Sequence, residues 1–365
     1  MTLSLAHGLG FSDLYSQAGL QKLDTAFLAT LPGELNTRLA AARATPPEGK
    51  EATQLLLDLA PHVDDFIAGL FGIRAEVTAL SAAHHNLAPL YLVKRLLVQR
   101  RAAKAYTPEQ AEAFNFTPRD ELEFATQVAA WLNDEKGHAS QLEEATQYAA
   151  WALLTKAGRA AHGKGVLFQI PHKITDPANM VPLQRDLSGC MTGLPQHIRD
   201  RRGFDLTDNG TDLRGALDET NYCIWCAHQG KDSCIWCAHQ GKDSCSKGLK
   251  DRTTGTYQKN GNGITLAGCP LEEKISEFQE TKSKGLAIGA LALVTVDNPM
   301  CAATGHRICN DCMKSCIYQK QEPVDIPQAE TRTLKDVLGL PWGFEIYSLL
   351  TRWNPLNFAR PYPRA

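Results

Sequence analysis

The chain has no cysteine in its first 189 residues, no long apolar run and almost no net charge. Each absence removes a class of explanation. A formal charge of −2 gives no electrostatic case for binding nucleic acid or an anionic membrane surface. The longest apolar stretch, residues 285–296, falls well short of the roughly 20 residues that span a bilayer. Met1 to Gly10 has no basic segment leading into an apolar one, so no secretory signal is visible and the expected location is the cytoplasm. No Gly-x-Gly-x-x-Gly stands in a strand–turn–helix setting, and Gly163-Lys164 lacks a Walker frame. With 43% hydrophobic and 21% charged residues, the composition is globular, and the chain is long enough for a substantial core.

The chain does hold eleven cysteines, all between Cys190 and Cys316. In a reducing compartment such density points to metal rather than disulfides. The fold class expected is mainly α, with a helical domain over 1–163, an irregular proline-punctuated connector over 164–208, a helical cysteine-bearing domain over 209–353 and a linker over 354–365. Leu14, Leu20, Leu23, Phe27 and Leu31 recur at helical spacing behind Ser12 as N-cap. Thr107-Pro-Glu-Gln110 reads as a capping box with proline in the first turn, and Thr117-Pro118 opens a helix in the same manner. Two similar segments, residues 125–131 and 145–151, each bring a Trp to a shared core. Further helices are expected near Leu213 and Leu217, over 271–284 with Ile275 and Phe278 on one face, and over 331–353 as one helix or two.

Among the cysteines, Cys234-x2-Cys237-x7-Cys245 is followed by Cys269-Pro270 and then by Cys309-x2-Cys312-x3-Cys316. Iron–sulfur clusters take thiolates at several corners, a Cys-x-x-Cys turn presents two at once, and a Cys-Pro cysteine can serve a neighbouring cluster. A zinc-stabilised helical interaction or scaffold protein without redox role is the alternative. His228, His239 and His306 keep a mixed shell open, but a single four-ligand zinc site leaves part of the set idle.

The stretches 268–278, 297–300 and 304–309 resemble the N-terminal iron–sulfur region of FAD-dependent pyridine nucleotide-disulfide oxidoreductases, similar to glutamate synthase small subunits and the N-terminal domain of dihydropyrimidine dehydrogenase. The resemblance implies an α-helical ferredoxin-like domain with two 4Fe–4S clusters. It implies Cys234, Cys237, Cys245 and Cys316 for one cluster, and Cys269, Cys309 and Cys312 for the other. Glu330 matches its fourth ligand, with Gln328 and Cys301 as competitors. The implied partner is a flavoprotein domain or subunit using FAD and NAD(P), expected to be missing from this chain or separate from it. No membrane or nucleic-acid partner is implied.

Residues 223–233 recur without change as 234–244, so Cys223 and Cys226 offer the same Cys-x-x-Cys one copy earlier. The second copy is favoured, because the ligands that follow are in frame with it. Elsewhere, His84-His85 read as surface or capping residues and Lys94, Arg95, Arg100, Arg101 and Lys104 as a solvated basic face. Asp64-Asp65 form an acid–base dyad only if buried together. Nothing reads as a convincing acid, base or nucleophile.

Overall fold

The computed structural model describes residues 5–173, 183–195, 198, 200–205, 209–228, 243–251, 253–260, 263–305, 308–318 and 321–363. It is mainly helical. Four helices lead: α1 (Gln17–Thr30), α2 (Gly33–Ala44), α3 (Gly49–Leu70) and α4 (Arg74–Asn86). A second group follows, α5 (Ala88–Val93), a π-helical segment (Lys94–Ala102), α6 (Ala103–Ala105), α7 (Pro108–Ala111), α8 (Glu121–Leu132), α9 (Ala139–Leu154) and α10 (Lys156–His162). A short antiparallel ribbon, β1 (Leu183–Arg185) on β2 (Met191–Gly193), pairs Leu183 with Gly193. The third group is α11 (Leu213–Tyr222), α12 (Ser244–Lys247), α13 (Ile275–Ser283), α14 (Ala287–Asp297), α15 (Cys301–Thr304), α16 (Asp311–Ser315), α17 (Ile326–Leu338) and α18 (Gly343–Leu350).

Local capping sets several of these boundaries. The Thr107 box forms as expected, Gln110 N donating to Thr107 Oγ1 and Thr107 N to Gln110 Oε1. The cap of α1 is Ser16, not Ser12, because Asp13 accepts from Gly10 N at 2.8 Å and holds residues 11–15 in a 3₁₀ turn. Thr117-Pro118 does not open α8 either. The Tyr148 hydroxyl takes the Arg119 N–H, and Asp120 caps by accepting from Leu122 and Glu123.

One apolar core joins the two ends of the chain, residues 5–77 with 245–358. Its centre is α14, where residues 287–295 are all buried. A helix apolar all round must be covered on every side, and α3, α13 and α17 do this. Asp64 of α3 accepts from Gly289 N at 2.9 Å, so the first turn of α14 is capped by a distant helix. Asp65 points out to Arg74, so the two aspartates form no dyad. Trp353 is fully buried against Phe27 and Phe66, and its Nε1 donates to Asp24, which Arg43 grips with two nitrogens. Beyond it, Asn354, Leu356 and Phe358 are buried as well.

A second core lies between α5, the π-helical segment, α8 and α9, around Phe124, Tyr148 and Phe168. Trp151 is buried there, whereas Trp131 only packs at its margin. The basic face is not solvated throughout. Lys94 is buried, and its ammonium reaches Asp218 of α11 at 2.6 Å, as a buried cation requires. His84 also differs from expectation. It is buried, with Nε2 3.7 Å from Asp336, which Lys282 and Arg332 hold at 2.6 Å each. Helix α11 bridges the cores, its Leu217 in the second and its C-terminal Cys223 against the first.

Candidate metal centres

Helix α11 ends at Cys223, and its N-cap Asp212 and the Tyr91 hydroxyl on Arg214 O fix its position. The chain then turns through Trp225, whose φ of 50° lies in the left-handed region. That turn aims Trp225 N–H at Cys223 Sγ, 3.4 Å away, and brings Cys226 round to the same side. Cys223, Cys226, Cys245 and Cys316 line one cavity, with Ser244, Ser276, Ile224, Ile317, Tyr318, Val324 and Ile326. These thiols come from three separate segments. Cys234 and Cys237, the favoured pair, lie outside the described residues, and the pair found at the cavity is the first copy's.

Burial pushes the Cys223 thiol up to about 12 and Cys245 well above its ordinary value. Cys245 is pushed further by Asp243 and by the nearby Cys223, Cys316 and Cys312. The charges of Cys223, Cys245 and Cys316 oppose one another, so these thiols ionise together only on a cation, and metal binding would release their protons.

Of the second set, Cys269, Cys312 and Glu330 gather with Cys301 and Glu273 around α15, α16 and α17. Cys312 is buried and feels Cys269, Glu273 and Glu330. Cys269 is pushed up to about 11 by burial, with Glu273 and Glu330 adding to it. Glu330 is buried, and its Oε1 accepts from Asn298 Nδ2 at 3.0 Å. Burial and the facing Glu273 raise it to about 9. Cys301, raised to about 12 by burial, faces the same two carboxylates. Cys309 is exposed, with its Sγ 3.5 Å from both Asp311 N and Asp311 Oδ2. Gln328 is engaged elsewhere, its Oε1 accepting from Thr211 N at 2.9 Å.

The two sets share backbone. Cys269 N donates to Cys245 O at 2.8 Å. Cys312 lies on α16 and Cys316 caps its C-terminus. Gly248 and Gly268, at φ 77° and 80°, meet so closely that a Cβ on Gly268 would lie 2.4 Å from Gly248 N. Among the described residues, no three His, Cys, Asp or Glu side chains are arranged to hold a single metal ion; the four thiols of the first set instead line the walls of a shared space. Sequence reasoning missed Glu273, four residues after Cys269, although that spacing is visible.

Residues 5–72 match the family described as the RP005 N-terminal alpha-helical domain. Over 317 residues the chain is 30% identical to the uncharacterized protein RP005 of Rickettsia prowazekii (strain Madrid E), covering 78% of this chain and 100% of that one. The chain belongs to the RP005 family. It is also 66% identical over 65 residues to the uncharacterized protein RP006 of the same organism, a match spanning 18% of this chain but only 9% of that relative. No solved structure matches. These findings overturn the resemblance to the iron–sulfur region of glutamate synthase small subunits and dihydropyrimidine dehydrogenase. That resemblance rested on three short stretches, 268–278, 297–300 and 304–309, two of them built around cysteines, and short motifs of this kind recur in unrelated chains. The family match lies in the cysteine-free front helices. No helix among the described residues is long and apolar enough to cross a membrane.

Proposed function

We propose that this RP005-family protein is an electron-transfer module that holds two 4Fe–4S clusters. The observation that carries the reading is the convergence of Cys223, Cys226, Cys245 and Cys316 on one cavity walled by Ile224, Ile317, Val324 and Ile326. A cubane needs thiolates around a volume rather than at a point, and an apolar wall to exclude water. The second cluster is assigned to Cys269, Cys309 and Cys312 with Glu330, and Cys301 stands beside them. When bound, such clusters accept and release single electrons. The chain's own residues hold the thiolates, donate backbone N–H groups to Cys223 and Cys309 sulfur, and keep the two sites adjacent through α16. The partner proposed is a flavoprotein domain or subunit, in the reducing cytoplasm.

Anaerobic purification tests the reading directly. The expected result is a brown protein with two clusters' worth of iron and acid-labile sulfide, whose visible absorbance bleaches with dithionite. Colourless protein carrying zinc alone overturns it in favour of the zinc-stabilised scaffold.

A further inference from the structure

We infer that the Ser244 hydroxyl donates a hydrogen bond to a sulfur of the group held in the first cavity and raises its reduction potential. The inference rests on the cluster reading above. Ser244 is 4% exposed and lines the cavity beside the ligand Cys245. Its Oγ is buried and has no hydrogen-bond partner among the described residues. Its neighbours differ. Ser246 donates to Glu273 O at 2.6 Å, Ser276 accepts from Ala227 N at 3.3 Å, and Ser315 accepts from Gly268 N at 3.0 Å. A buried hydroxyl left unsatisfied is costly, so a native one usually marks a missing partner. Among the described residues the space it lines is walled by four thiols, Ser276, Tyr318 and apolar side chains; the Ser276 hydroxyl already accepts from Ala227 N, and a metal-bound sulfur is an acceptor that fits there. A hydrogen bond to sulfur favours the state that carries the extra electron, which raises the potential.

The test uses the full chain, reconstituted anaerobically with iron and sulfide and titrated with EPR detection. Ser244→Ala is expected to move one reduction wave to more negative potential and leave the other in place, and the wave that moves is the one Cys245→Ala abolishes. Ser244→Thr, which keeps the hydroxyl, is expected to keep the wild-type value. Electron–nuclear double resonance on the wild type adds a readout that survives if the alanine variant fails to load. Beside the coupling that the Trp225 N–H gives, a second exchangeable proton should be lost in D2O, be retained in Ser244→Thr and be missing in Ser244→Ala. Two intact waves with neither a shift in Ser244→Ala nor an exchangeable proton beyond that of Trp225 overturn the inference alone. Absence of any wave in the wild type overturns the cluster reading and the inference with it.

Discussion

Trp225 holds a left-handed backbone between two cysteines, a conformation that costs an ordinary residue roughly 1–2 kcal/mol. The turn delivers two thiols from one short segment and an N–H to sulfur, and its indole is anchored on Thr220 O at 3.1 Å. Because Cys223 directly follows α11, the first copy of the repeat has no slack, and the eleven additional residues fall between Cys226 and Cys245. Point substitutions therefore discriminate the copies. Cys223→Ala or Cys226→Ala should remove one cluster, read as half the iron and sulfide per chain, while Cys234→Ala and Cys237→Ala should leave both. Loss of a cluster from Cys234→Ala would reverse the assignment. That Cys-x-x-Cys pairs and a Cys-Pro stand in the chain was legible, because they are local signals. That the described pair lining the cavity is Cys223 and Cys226 was not, since two identical segments differ only in what their neighbours are packed against.

At the scale of elements, α14 depends on contacts that no local pattern announces. Its apolar run was visible, as were α13 with Ile275 and Phe278 and the α17–α18 pair, but its cap lies on α3. Asp64 is pushed up to about 6 by burial, against 3.8 unfolded, with the Gly289 and Ile288 N–H groups pulling the other way. Between pH 4 and 6 the folded chain thus keeps a proton that the unfolded chain has lost. Stability from this group falls as pH rises through that window and then levels off. Asp64→Asn keeps an acceptor for Gly289 N and should flatten that slope, with denaturant midpoints at pH 4.5 and 7.5 as the measurement; an unchanged slope would sink the account. Gly289→Ala should cost about 1–3 kcal/mol, the range of an overpacked core, because a Cβ there would lie 2.7 Å from Ala60 O on the backbone of α3. Urea unfolding reads it, and a midpoint equal to wild type would show that the helices part easily.

For the whole molecule, the front helices are the lid of the cysteine-bearing core rather than an appendage, with Trp353 driven between Phe27 and Phe66. A fragment of residues 209–365 strips α3 from α14 and should show no cooperative thermal transition by circular dichroism; a sharp transition would mean that the back half folds by itself. None of this long-range pairing was legible, since helical periodicity gives each helix an apolar face without naming the face it meets. The perfect repeat has a consequence for heredity. Deleting either copy produces the same polypeptide, and adding further copies still leaves a Cys-x-x-Cys on the end of α11 and a cysteine at the start of α12. Slippage during DNA replication could therefore lengthen or shorten this segment by multiples of eleven residues while the first cavity keeps its four sulfurs. Isolates of the same organism are expected to differ in copy number here while retaining both flanking ends.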